Sequence, residues 1–176
     1  MTKFSPLLAL LLLCAPSCIK DEGTIQLPGY TGVATALQNG TFWTARTYAD
    51  TNPIRDDRVE IFLDSLSDES FIHQSLSFHK VPPSPGTYPI LFTTPYLDDE
   101  RVGARFDVRE QNIYFASYQV PEGDTLGMLD ITAFDSLSGL LEGRFELTLA
   151  VEFKALPHLP DTVRFREGRF QVILSE

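Results

Sequence analysis

Few side chains in this sequence stand at the spacings that enzyme chemistry requires. There are three histidines. His73 and His79 fall on one face of the same expected strand, but six residues of extended chain separate them by about 20 Å, too far to share a metal ion. His158 sits in the stiff loop Leu156-Pro157-His158-Leu159-Pro160. There is no G-x-S-x-G nucleophile turn, no H-E-x-x-H, no phosphate-cradling G-x-x-x-x-G-K-[ST] and no dinucleotide fingerprint. A Ser-His-Asp triad is defined by geometry and not by chain order, so the sequence leaves it open. Carboxylates crowd two loops, one with Asp50, Asn52, Asp56 and Asp57, the other with Asp98, Asp99 and Glu100. Oxygen-rich loops can hold calcium, yet neither has the EF-hand spacing, and Asp and Asn are also what plain turns use. The expectation is no catalytic group, no metal and no cofactor.

Binding chemistry is better represented. Trp43, Tyr48, Tyr88, Tyr96, Tyr114 and Tyr118 could offer flat faces to sugar rings. Tyr114 and Tyr118 share one face of a strand, with Ala116 leaving space between them. Ile113 and Phe115 share the other face, so one of the two sets must pack inward. Trp43, just after a hairpin turn, is expected in the core. Arg101, Arg105 and Arg109 form a one-sided row that Arg144, Arg164, Arg166 and Arg169 would extend if their strands were neighbours. Such a strip could grip carboxylates on a glycan or a protein partner. The alternative is cross-strand pairing with Asp107, Glu142, Glu146 and Glu167, which makes a solvated face of little energy. The candidate ligand-binding residues are therefore Tyr114, Tyr118, Arg101, Arg105 and Arg109.

Strands must position these groups. Val33–Leu37 meets Thr41–Ala45 across Gln38-Asn39-Gly40, and Asn-Gly is a strong hairpin signal because both residues tolerate positive φ. Further strands are expected at Arg58–Leu63, Ile72–Phe78, Thr87–Phe92, Arg101–Arg109, Asn112–Val120, Met128–Phe134 and Leu141–Val151. The last pair, Val163–Arg166 and Arg169–Leu174, would turn at Glu167-Gly168. In Arg101–Arg109 the apolar set Val102, Ala104, Phe106 and Val108 alternates with polar residues. In the longest strand Leu141, Gly143, Phe145, Leu147, Leu149 and Val151 face inward. No stretch of ten residues shows helical spacing. The prediction is an all-β fold, a single antiparallel sandwich or partly closed barrel of about ten strands joined by hairpins.

The chain has 176 residues, 43% of them hydrophobic and 22% charged, which suits one globular domain. At that length roughly 70% of the unfolded surface is buried on folding, so no disulfide is needed. With Lys+Arg 14 against Asp+Glu 24, the net charge of −10 would repel phosphate backbones and argues against nucleic-acid binding.

The N-terminus is a targeting segment. Lys3 precedes an apolar run from Leu7 to Ala15, shorter than the roughly 20 residues that span a bilayer. Small residues then lead to Cys18. This resembles a bacterial lipoprotein signal, with Ala15 standing where such signals usually carry Leu and Pro16 uncommon at the next position. The resemblance implies cleavage after residue 17 and acylation of Cys18, several acyl chains giving a stable anchor where one would not. An ordinary signal peptide with incidental cysteines is the alternative. On the lipoprotein reading Cys18 would be the sole cysteine of the mature chain and consumed by lipid, which leaves no disulfide and no free thiol.

Behind Cys18, the residues Lys20, Asp21 and Glu22 resemble the surface-export signal of Bacteroidota lipoproteins, which implies display on the outer leaflet. A solvated tether on a periplasm-facing lipoprotein is the competing reading. The segments Ala34–Ala45, Gly86-Thr87-Tyr88, Gly143-Arg144-Phe145 and Gly168-Arg169-Phe170 resemble small Bacteroidota lipoprotein domains of unknown function. That resemblance spans residues 33–174 and implies fold and address, with no catalytic residues to transfer. The expected organisation is a signal peptide at 1–17, a lipidated tether at 18–30 and a β domain at 31–176. The expected function is non-enzymatic: a lipid-anchored surface protein of the outer membrane that binds or scaffolds a glycan or envelope protein partner. The alternatives are an extracellular hydrolase, or a carrier of a small lipophilic ligand if the fold is a closed barrel with an apolar cavity.

Overall fold

The computed structural model describes residues 29–67, 71–110 and 112–174. The lipidation and export residues Cys18, Lys20, Asp21 and Glu22 lie outside the described residues. Within them the chain forms ten strands and no helix: β1 (Gly32–Gln38), β2 (Thr41–Thr51), β3 (Val59–Leu66), β4 (Ile72–Val81), β5 (Gly86–Leu91), β6 (Gly103–Glu110), β7 (Ile113–Gln119), β8 (Thr125–Asp135), β9 (Leu140–Lys154) and β10 (Thr162–Ile173). Eight of them close a ring in the order β1-β2-β3-β4-β6-β7-β9-β10, sealed because β10 pairs with both β1 and β9. The all-β expectation holds, and of its two forms the chain adopts the barrel.

Strand β9 explains why two strands remain outside the ring. Its Ala150–Lys154 half pairs with β7, while its Leu140–Leu147 half pairs on the same edge with β8. Strands β8 and β5 thus leave the barrel as a two-stranded flange. The outer edge of that flange is β5, where Pro89 has no N–H to offer another chain. The same strand turns back to the barrel, since the Leu91 N–H donates to the Val102 carbonyl at 2.8 Å.

Two local features set the register. Asn39 and Gly40 take φ of 50° and 84°, the conformation that a two-residue hairpin between right-twisted strands requires. The turn expected at Glu167-Gly168 is instead a bulge within one continuous strand. Pairing jumps from Phe165↔Leu147 to Gly168↔Phe145, with Glu167 at φ 53°. A bulge re-aims side chains without ending the ladder, which is why turn-forming residues there did not mean a turn.

The barrel interior is packed rather than hollow. The Phe165 ring lies 5.2 Å from both Trp43 and Phe106, edge to face, and 6.2 Å from Phe145, which in turn meets Phe78 at 5.3 Å. Trp43 is in the core as expected, and its indole N–H donates to Gln74 Oε1 at 2.8 Å. The two Gly-x-Phe segments face each other in register, Gly168 opposite Phe145 and Gly143 opposite Phe170. Each ring lies over the opposing glycine: a Cβ added at either glycine would fall 2.5 Å from ring carbons. Eight strands leave an interior that side chains alone can fill.

Candidate functional site

Strand β4 is unusual in burying both faces. Leu76 and Phe78 point into the core, while Ser75, Ser77 and His79 alternate onto the outer wall and are still buried. The segment 92–102 folds over that wall, and a β-bulge explains how it is held. Pairing between β3 and β4 skips from Val59↔Val81 to Ile61↔Phe78, which sets both His79 and Lys80 opposite Glu60. Lys80 takes φ 56° to make the step, a conformation that non-glycine residues adopt only when their surroundings hold them there.

Those surroundings are polar and nearly saturated. Glu60 Oε2 lies 2.5 Å from His79 Nδ1, and Oε1 accepts from the Lys80 backbone N–H at 3.0 Å and from Asn52 Nδ2 at 2.5 Å. Asn52 Oδ1 accepts from the backbone N–H groups of Ile54 and Arg55 at 3.0 and 2.8 Å, which shapes the β2–β3 loop. The Lys80 ammonium, fully buried, donates to the Thr93 hydroxyl, the Asp99 carboxylate and the Leu97 carbonyl. One lysine thereby straps the 92–102 segment to the barrel.

Asp99 is the acidic end of this strap. Partial burial pushes its carboxyl up, but hydrogen bonds from Lys80, Arg101 and Thr93 outweigh that and hold it at about 2, down from 3.8. A carboxyl depressed in the folded state contributes stability above its unfolded pKa and loses it as the pH falls through the folded one. Asp99→Asn should therefore be less stable than wild type at pH 7, and the gap should close between about pH 4 and pH 2. Urea unfolding of both chains across that range checks it; a gap independent of pH would sink the strap.

The strapped segment and the wall border an open pocket of about 390 Å³ lined by His79, Thr94, Pro95, Tyr96, Arg105, Asp107 and Tyr114. Its base carries paired donors and acceptors. Arg105 Nε donates to Asp107 Oδ1 at 3.1 Å, Arg105 Nη1 lies 3.1 Å from Glu152 Oε2, and the Ser117 hydroxyl donates to Asp107 at 2.5 Å. Two of its lining residues are exposed tyrosines, Tyr96 at 76% and Tyr114 at 47% exposure. Tyr114 reaches this face through another bulge. Pairing passes from Val108↔Ala116 to Arg109↔Tyr114, and the skipped residue moves Tyr114 to the side of Arg109. The Arg109 guanidinium carbon lies 5.8 Å from the centre of its ring.

The same bulge corrects the expectation that Tyr114 and Tyr118 share a surface. Tyr118 faces the core at 0% exposure, its hydroxyl donating to the Pro160 carbonyl at 3.0 Å, and it can touch no ligand. The arginine row also divides. Arg101 precedes β6 and pairs with Asp99. Arg105 and Arg109 stay on the pocket wall, while β7 separates β6 from the strands that carry Arg144, Arg164, Arg166 and Arg169. Of the expected candidates, Arg105 and Tyr114 line the pocket, with Arg109 against Tyr114. Glu60, Asn52 and Lys80 could not be picked out from sequence, because only the bulged register brings them to His79.

Glu60, His79 and Ser77 stand in the order that nucleophilic catalysis uses. The last step is long. Ser77 Oγ is 3.4 Å from His79 Nε2 and equally 3.4 Å from the Arg105 carbonyl, against a working reach of about 2.6–3.2 Å. Ser77 is itself buried. Farther along the same wall, Asp64 accepts from the Ser75 and Tyr30 hydroxyls at 2.6 and 3.1 Å. Burial pushes the Asp64 carboxyl up despite those bonds, and burial beside Asp64 pushes the Tyr30 and Tyr48 hydroxyls well up. Both tyrosines pack on ring neighbours, Tyr48 stacking on Phe62 at 4.6 Å.

Several side chains of the acidic loops weighed for calcium have protein partners. Asn52 points inward, Asp57 pairs with Arg55 and Arg58, and Asp99 pairs with Lys80 and Arg101. Among the described residues no group of three or more His, Cys, Asp or Glu is placed to hold a metal. Compared with known protein families, curated proteins and solved structures, the chain matches none.

Proposed function

We propose that this is a lipid-anchored outer-membrane protein, displayed outward through Cys18 and the Lys20-Asp21-Glu22 segment, that captures neutral sugar residues of an extracellular glycan. The observation that carries this reading is the pocket between Tyr96 and Tyr114. Two exposed rings flank a base of side chains that can both donate to and accept from hydroxyls. Aromatic walls bury the C–H faces of a pyranose, while Arg105 and Asp107 offer directional hydrogen bonds. A packed barrel interior favours a surface binder over a carrier. The strap through Lys80 supports the same reading, since a ring held in place loses less entropy on binding.

Intact cells carrying the wild-type chain should retain at least one of a set of fluorescent neutral polysaccharides: an α-glucan, a β-glucan, a xylan and a mannan. The double variant Tyr96→Ala, Tyr114→Ala at equal surface level should retain about tenfold less or lower still. Cys18→Ser should no longer sediment with membranes. Retention of none of the four, retention unchanged in the double variant, or a membrane-bound Cys18→Ser protein would each overturn the corresponding part.

A further inference from the structure

A second concave surface lies on the opposite wall of the barrel. In the ring, β10 stands four places from β4 through β6, β7 and β9. Outside the barrel, between β1 and the β8 flange, runs a groove formed by two adjoining cavities of about 760 and 320 Å³. The cavities share Thr35, Arg144 and Arg169, so the two arginines sit midway along one elongated trough. Phe42 and Met128, 68% and 49% exposed, line the larger half.

The arginines are in an arrangement that sheets normally avoid. Arg144 of β9 and Arg169 of β10 are direct register partners, and like charges directly opposite each other destabilise a ladder; Arg144 stands opposite Asp130 of β8 on its other side, with no ion pair formed between them. Neither side chain makes an ion pair or a hydrogen bond among the described residues. Nearby Arg164 and Arg166 instead reach Glu146 at 3.6 and 3.8 Å. A carboxylate placed over the two free guanidiniums would relieve the repulsion and accept from both.

The surroundings limit what carries that carboxylate. Asp130, Glu146 and Glu167 also line the larger half and Glu142 the smaller, so a chain with an anion on every unit would be repelled along the groove. The strands of the floor are paired on both sides. Outside the bulge at Glu167 their backbone groups face paired strands, which leaves little for an extended peptide that gains its affinity mainly from such groups. A sugar carboxylate needs only side-chain donors, and its neutral neighbours could lie on Phe42 and Met128.

We infer that this groove binds a glycan segment in which an acidic sugar is flanked by neutral ones, the sugar carboxylate bridging Arg144 and Arg169. The site is independent of the Tyr96–Tyr114 pocket, and each can fail without the other.

The probe is a hexasaccharide of alternating glucuronate and N-acetylglucosamine, titrated calorimetrically into the full chain. The expected result is saturable binding that weakens roughly ten- to a hundredfold in Arg144→Gln and in Arg169→Gln. Arg164→Gln should stay within about twofold, since that arginine is exposed and already paired. Circular dichroism should show the Gln variants folded. The proposal is overturned by absence of binding, or by equal binding of the hexasaccharide with its carboxylates reduced to alcohols. Wild-type affinity in both Gln variants overturns it as well. Loss of binding in Tyr96→Ala, Tyr114→Ala instead would move the ligand to the pocket. Tighter binding of an oligoglutamate peptide would replace the glycan with a protein partner.

Discussion

Glu60→Ala should destabilise the fold by about 3 to 5 kcal/mol, since each buried donor left without its acceptor costs about 1 to 3 kcal/mol. The carboxylate is 3% exposed and serves His79, the Lys80 backbone and Asn52 together. Deleting it strands three donors away from water at the bulge that sets the β3–β4 register. The consequence should reach beyond stability, because Asn52 also donates to the Pro95 carbonyl at 3.4 Å and the Lys80 backbone carries the strap. Binding at the Tyr96–Tyr114 pocket should fall in the same variant even under conditions where it remains folded. Glu60→Gln keeps one acceptor oxygen and should cost less, about 1 to 3 kcal/mol. Urea unfolding at neutral pH orders the three chains; an alanine variant within 1 kcal/mol of wild type would mean that the network is dispensable.

The second large effect is expected at the aromatic core. Phe145→Ala should cost about 3 to 5 kcal/mol, the usual cost of truncating a buried Phe. Phe145 contacts Phe78, Phe165 and Phe170, and it also covers the Gly168 backbone. The converse change, Gly168→Ala, adds a methyl where no space exists and should cost about 1 to 3 kcal/mol by overpacking. In the double variant the methyl would enter the space the ring vacated, so the two costs should fall short of additivity. Additive costs would show that the ring and the glycine are not packed as a unit.

How far these features could be foreseen depended on whether they were local. Alternation in Leu141–Val151 and Val102–Val108 correctly marked the inward residues, because a period of two follows from strand geometry alone. The Asn39-Gly40 hairpin was equally legible, its chemistry being confined to two residues. The alternation in Ile113–Tyr118 misled for the opposite reason. A single skipped residue exchanged faces midway, leaving Tyr114 exposed and Tyr118 buried. No feature of that segment by itself announces a bulge, since the slip exists only relative to the partner strand. The same holds at Glu167-Gly168, where turn-forming residues sit within an unbroken strand.

The sequence by itself determined the all-β class, the inward face of the long strands, the acidic balance and the arginine and tyrosine content from which binding surfaces could be built. It also carries the N-terminal segment on which the proposed address rests. Only the tertiary structure decided which of those residues meet. It closed eight strands into a packed ring, sent β8 and β5 out as a flange, and set Glu60 against His79 and Arg144 against Arg169. The physical reason is that composition and periodicity are properties of neighbouring residues. Register is a property of strand pairs, and one bulged residue redistributes every side chain beyond it.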